Sequence, residues 1–199
     1  MSRTTPNPLR TWWAGALLAA AAAVLLVQAG CDRRGDADLA RDPQIRHWQR
    51  FFFAREAPLQ EDGVMEYGCT PVPVSLPGEH SPSGSLVCSE RSGPCLVIDP
   101  GYLVERGRVV RGEPDSFASL YDPAEGSMCR FMSMGPAGCI HGGTWLKERT
   151  FAVFGLAGEE GFVWKVDLDA RTVQKYKIPG SCRMPGSREE EYFTRAWKV

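Results

Sequence analysis

The chain has little of what catalysis usually needs. Only three histidines, His47, His80 and His141, occur in 199 residues. A hydrolase with a histidine base would have to choose among one helix residue, one loop residue and His141. No G-x-S-x-G elbow, phosphate loop or dinucleotide fingerprint is present, so esterase, P-loop and Rossmann chemistries have no sequence support. Neither CxxC nor CxxCH occurs, and no cysteine spacing fits a zinc ribbon. The 23 basic residues are balanced by 24 acidic ones; a nucleic-acid binder would show a basic face. The expectation is a protein without cofactor or nucleic-acid partner, leaning away from enzyme.

What the chain does have is an organised N-terminus. MSRTTPNPLRT carries Arg3 and Arg10 and no acid, an apolar run extends from Ala14 to Val27, and Ala29, Gly30 and Cys31 follow. Positive start, apolar middle and small-residue end is the order of a secretory signal peptide. The fourteen apolar residues fall short of the roughly 20 that span a bilayer. Counting from Trp12 to Gly30 lengthens the run and keeps an uncleaved anchor open.

Gln28-Ala29-Gly30-Cys31 resembles the lipobox of bacterial lipoproteins. The resemblance covers the first 31 residues and implies a lipid-bearing Cys31 at the mature N-terminus, with residues 1–30 removed. Gln28 departs from the pattern, where an aliphatic residue is usual. Val27-Gln28-Ala29 also suits an ordinary signal peptidase, which would release a soluble chain from Gly30. Asp32 resembles an inner-membrane retention signal, so the choice between inner and outer membrane stays open. The expected location is the exported, periplasmic face of a membrane, held through the lipid at Cys31, with an envelope protein as partner.

Cysteine counting agrees with export. Of seven cysteines, assigning Cys31 to lipid leaves six: Cys69, Cys88, Cys95, Cys129, Cys139 and Cys182. An even set in an exported chain reads as disulfides. Local spacing favours Cys88–Cys95 around Gly93-Pro94 and Cys129–Cys139 around Gly135-Pro136, leaving Cys69–Cys182.

Removing 30 residues leaves 169, and losing two arginines moves the formal charge from −1 to −3. That length suits one domain with a real core. Residues 31–42 are polar and read as a tether, with a single domain over 43–199. Asp42 is a candidate N-cap and Pro43 a first helical residue. Ile45, Trp48, Phe51 and Phe52 share one face of a helix over 43–56, stopped by Pro58 and packed on the domain or lying in the membrane interface. Residues 57–84 are rich in proline and glycine, and any strand there belongs on a sheet edge.

Short β runs follow: 86–88, 95–98, 102–104, 108–110, 117–121, 129–134, 150–154, 162–168, 172–178 and 192–197. In FVWKVDL, Phe162, Trp164, Val166 and Leu168 alternate with Lys165 and Asp167, predicting one buried face. The predicted fold is mainly β, an antiparallel sheet or sandwich-like domain with one short N-terminal helix, braced by disulfides. The unit over 144–178 looks like a propeller blade, but no second copy exists, which excludes a propeller.

One cluster suggests chemistry. Met128, Cys129, Met132, Met134, Cys139 and His141 fall within fourteen residues, and thioether, thiolate and imidazole are soft-metal ligands for copper or zinc. Against it, a Cys129–Cys139 disulfide would consume both thiolates, and methionines on strands usually fill cores. His141-Gly142-Gly143 is similar to the oxyanion loop of some esterases, but the nucleophile elbow those enzymes need is missing, and glycines flanking a turn are the better reading. Glu159-Glu160 and Glu189-Glu190-Glu191 read as solvated charges. The expected function is a non-catalytic interaction or structural role in the envelope. The alternatives are a periplasmic soft-metal binding protein and an envelope hydrolase.

Overall fold

Strand alternation sets up the architecture. In the computed structural model, which describes residues 37–77, 84–89, 93–182 and 185–198, Phe162, Trp164 and Val166 face one way and Val163 the other, and all four are buried. The single buried face expected for this strand is therefore corrected to two. The reason is a helix packed on the side that Val163 faces. Phe151 and Val153 likewise share one cluster, while Ala152, Phe154 and Leu156 share another.

In chain order, Leu39–Val199 contains α1 (Pro43–Phe53), β1 (Gln60–Glu66), β2 (Thr70–Val72), β3 (Ser85–Cys88), β4 (Cys95–Asp99), β5 (Tyr102–Glu105), β6 (Arg108–Arg111), β7 (Ser116–Asp122), β8 (Ser127–Met134), β9 (Gly138–Lys147), β10 (Thr150–Ala157), β11 (Glu160–Asp167), β12 (Thr172–Ile178) and α2 (Pro185–Trp197). Two five-stranded sheets run β1-β12-β11-β10-β9 and β2-β8-β7-β4-β3, and β5-β6 forms a separate hairpin. The paired strands are antiparallel. The mainly β, antiparallel, disulfide-braced fold is as expected.

The first sheet is covered on both sides. Its inner face packs Phe151, Val153, Phe162, Trp164 and Val166 against Leu96, Ile98 and Ala118 of the second sheet. Its outer face packs Phe154, Leu156, Val163, Tyr176 and Ile178 against Ile45, Trp48 and Phe52 of α1. A third cluster, Tyr102, Val109, Cys139 and Phe193, joins the β5–β6 hairpin and β9 to α2.

Asp42 caps α1 as expected, accepting from the Gln44 and Ile45 amides at 2.9 and 3.0 Å. Its second oxygen accepts from Thr144 on β9 at 3.2 Å, so one carboxylate starts the helix and ties it to the sheet. The helix ends at Phe53, with Ala54 left-handed at φ 56°, earlier than the expected stop. Phe52 is buried and Phe51 and Phe53 pack against the same cluster, so this helix face belongs to the domain core. Burial also begins before Asp42: Leu39, in a helical turn over 37–41, is fully buried in the α1 cluster.

Among the described residues two disulfides are formed, Cys88–Cys95 and Cys69–Cys129. The first joins directly opposed residues of β3 and β4, as expected. The second corrects the Cys129–Cys139 and Cys69–Cys182 pairings together. β8 and β9 lie in different sheets, so the Gly135-Pro136 turn is a crossover and carries Cys139 away from Cys129. β2 instead pairs with β8, Pro71 opposite Cys129, which brings Cys69 alongside. Cys139 is a free, buried thiol, and Cys182 is buried in the α1 cluster. Pro71 sits in an edge strand, as proline requires.

The last expected strand, 192–197, is a further correction. It forms part of helix α2, whose Glu189, Tyr192, Phe193 and Trp197 repeat at helical spacing and turn inward.

Candidate functional site

Among the described residues, the one fully buried histidine side chain, His141, is produced by a fault in β9. Phe154 of β10 opposes Gly142, and the next residue, Gly155, opposes Ile140. His141 is thus the extra residue of a β-bulge, the device that re-aims a side chain out of the regular pleat. Gly155 makes the bulge feasible, because a Cβ there would lie 2.2 Å from the Cys139 carbonyl oxygen. On the open side of β9, the Ile140 amide donates to the Ser116 hydroxyl at 3.0 Å.

Around His141 the structure assembles five other polar side chains from five elements. Trp48 Nε1 of α1 donates to His141 Nδ1 at 3.0 Å. An indole nitrogen can only donate, so Nδ1 presents its lone pair and the ring proton sits on Nε2. That proton is donated to Glu189 Oε1 of α2 at 3.1 Å. The Tyr102 hydroxyl of β5 donates to Glu189 Oε2 at 2.7 Å, and Arg111 Nη1 of β6 lies 3.6 Å from the same oxygen. Arg111 is fixed in turn by the Pro114 and Gly138 carbonyls, at 2.6 and 3.2 Å. The Cys139 thiol donates to the Pro100 carbonyl at 3.4 Å. Phe52 stacks on the imidazole with ring centroids 4.5 Å apart, and Tyr192 and Phe193 pack at 5.7 and 5.8 Å.

The electrostatics follow from this wiring. Burial pushes the His141 pKa down, more than Glu189 pulls it up, so the ring is neutral. Burial alone would raise the Glu189 carboxyl, but the His141 and Tyr102 hydrogen bonds and the Arg111 charge outweigh it and hold it below its ordinary range. Burial and the neighbouring carboxylate push both the Tyr102 phenol and the Cys139 thiol upward. Burial also pushes Tyr192 up to about 12. The cluster therefore holds one anion, Glu189, and one cation, Arg111.

Of the residues expected to gather as a metal site, the structure brings together only Cys139 and His141. Cys129 is consumed by its disulfide. Met128 is buried on β8, and Met132 and Met134 pack against the core between the sheets. Glu189 replaces them, and its carboxylate, the His141 ring and the Cys139 sulfur lie within 4.8 Å of one another. The donor set nevertheless suits a metal poorly. A neutral imidazole bound through Nε2 carries its proton on Nδ1 and donates it onward, but here Nδ1 faces the Trp48 N–H. The same bond disqualifies His141 as a general base, since its one lone pair is already taken. With Nε2 committed to Glu189, no ring nitrogen remains to activate Cys139.

Compared with protein-family models, with curated proteins and with solved structures, the chain shows no match.

Gly142 and Gly143 do not flank a turn: both are interior to β9, a further correction. A Cβ would meet the Phe154 ring at 2.8 Å from Gly142 and the Leu96 side chain at 2.3 Å from Gly143. Here their lack of a side chain serves core packing. They also floor a cavity of about 210 Å³ beneath α2, lined further by Gln44, Tyr192, Phe193 and Trp197. Glu189, read as a solvated charge, is 5% exposed; its helical spacing to Tyr192, Phe193 and Trp197 was the available signal. Trp48, Tyr102 and Arg111 carried no signal beyond their type. His47 lies on α1, while His80, Cys31 and the signal-peptide and lipobox reading fall outside the described residues. Among the described residues no helix is long and apolar enough to cross a membrane.

Proposed function

We propose that the chain is an exported, lipid-anchored envelope protein whose folded part acts without catalysis, by binding or bracing an envelope component. The observation that carries this reading is the Trp48–His141–Glu189 relay. The one deeply buried ionisable cluster among the described residues spends its hydrogen-bonding capacity on neighbouring elements and holds no reactive group ready for a substrate. The two disulfides fit an oxidising compartment, and Ala29-Gly30-Cys31 after the apolar run supports lipid attachment at Cys31.

Three measurements test it. Intact mass of the membrane-extracted protein should match an acylated chain beginning at Cys31, and Cys31→Ser should move it from the detergent phase to the aqueous phase. An unacylated mass beginning at Gly30 overturns the anchor. A pull-down of the anchored protein from its own membrane should recover one stoichiometric envelope partner, unchanged for Cys139→Ala. The soft-metal reading is kept as second because Cys139, His141 and Glu189 converge. Stoichiometric zinc or copper in the purified protein, lost in Cys139→Ala, would promote it over the non-catalytic one.

A further inference from the structure

The fold holds a conformational device that the proposed role does not require. We propose that helix α2 is an acid-released latch, docked while His141 is neutral and freed when the ring takes a second proton. The argument is one of donors and acceptors. A protonated imidazole donates from both nitrogens, and Trp48 places its own N–H against Nδ1 at 3.0 Å. The docked arrangement therefore has no acceptor for the second proton.

The groups facing His141 make the same point from every side. α1 offers Trp48 and Phe52, neither of which titrates. α2 offers Glu189 and Tyr192. β5 and β6 bring Tyr102 and Arg111 to the same carboxylate, and β9 adds the Cys139 thiol. With Glu189 anionic and Arg111 cationic the cluster is neutral, so a second proton on His141 leaves a buried net positive charge. Such a charge is unfavourable without water or a further partner.

Among the packed elements, α2 is the one that can yield. α1 holds Ile45 and Trp48 fully buried in the main core. α2 is held by Glu189, by Phe193 in the small third cluster, by contacts of Tyr192 and Trp197, and by Arg188 donating to the Phe51 carbonyl. Once α2 lifts, His141 loses Glu189, Tyr192 and Phe193 together and is free to turn off Trp48 into water. It then titrates at its ordinary value, and acid favours the lifted state by linkage. The same movement opens the cavity over Gly142 and Gly143.

The test is amide hydrogen exchange on the full anchored protein in detergent, corrected for intrinsic rates, from pH 7.5 to 5. In the wild type, protection of the α2 amides should fall up to about tenfold per pH unit below about 6.5, the limit for one coupled proton, while the β10 and β11 amides hold theirs. His141→Gln can offer a carbonyl to Trp48 and an N–H to Glu189 without titrating, and its α2 protection should stay flat. Trp48→Phe removes the opposing donor and should move the loss to lower pH. A flat wild-type profile, or an equal fall in His141→Gln, overturns the latch. Should His141→Gln fail to fold, the wild-type imidazole nitrogen spectrum decides. Protonation that coincides with loss of α2 protection supports the proposal, and protonation with α2 still protected refutes it.

Discussion

Replacing Glu189 by glutamine tests the polar cluster at its centre. The carboxylate accepts from His141 at 3.1 Å and Tyr102 at 2.7 Å, and it faces Arg111 at 3.6 Å. Glutamine keeps one acceptor oxygen. If that oxygen stays on His141, the new NH2 group points at the Tyr102 hydroxyl and toward the Arg111 cation. Tyr102 can rotate to accept, but its own proton then lacks a partner, and Arg111 loses its counter-charge. Hydrogen bonds to charged groups contribute about 1.5–3 kcal/mol, and an unsatisfied buried donor costs about 1–3 kcal/mol. Arg111 keeps three carbonyl partners, on Glu113, Pro114 and Gly138, and a side chain 28% exposed, so its loss is partly relieved by solvent. The expected destabilisation is about 2–4 kcal/mol at pH 7, read from urea unfolding followed by tryptophan fluorescence with disulfides intact. The pH dependence supplies a second reading. The folded Glu189 pKa is lowered, so its contribution is present above the ordinary carboxylate range and is lost as pH falls through the folded value. Glu189→Gln should abolish that acidic component while leaving any dependence set by His141 in place. A loss under about 1 kcal/mol with an unchanged acid limb would refute the wiring, because a group making these contacts cannot be removed so cheaply.

Other perturbations probe the frame around the cluster. Leu39→Ala should cost about 2–5 kcal/mol, since Leu39 is fully buried against α1; a melting temperature within a degree of wild type would place residues before Asp42 outside the core. Peptide mapping after alkylation without reduction should recover Cys69 joined to Cys129 and Cys88 joined to Cys95, with Cys139 alkylated only after unfolding. Cys69→Ala with Cys129→Ala should cost more than the matching pair at Cys88 and Cys95. The closed loops span 60 and 7 residues, and the chain-entropy model gives about 4 against about 2 kcal/mol. Equal costs would contradict that ranking.

Much of the fold was legible because strands announce themselves by alternation and turns by composition. Tyr102 to Arg111 reads as a hairpin around Glu105-Arg106-Gly107, and it is one. Asp42-Pro43 marks a capped helix start, and Pro71 marks an edge. The misreadings share one cause: they depend on partners distant in sequence. Tyr192 to Trp197 is too short and too apolar for periodicity to separate strand from helix, and only the docking of Glu189 beside it decides. Among three consecutive glutamates, only a helical reading of the segment, which spaces Glu189 with Tyr192, Phe193 and Trp197, picks out the buried one. Trp48 lies 93 residues from the histidine it caps. The cysteine pairing turned on whether β8 and β9 share a sheet, which neither strand's own residues reveal.

The Cys69–Cys129 bridge has a mechanical consequence. Tension applied ahead of Leu39 meets α1 first and then β1, an edge strand zipped to β12 alone. Peeling such an edge breaks its rungs one after another, at low force. The tear cannot run on into β2, because at Cys69 the load passes through a covalent bond into β8, which is flanked by strands on both sides. From there the second sheet must yield as a block. The oxidised chain thus carries a tear-stop between its two sheets: a pull from the N-terminal side strips α1 and β1 before it loads the second sheet, and both can zip back when the load is removed.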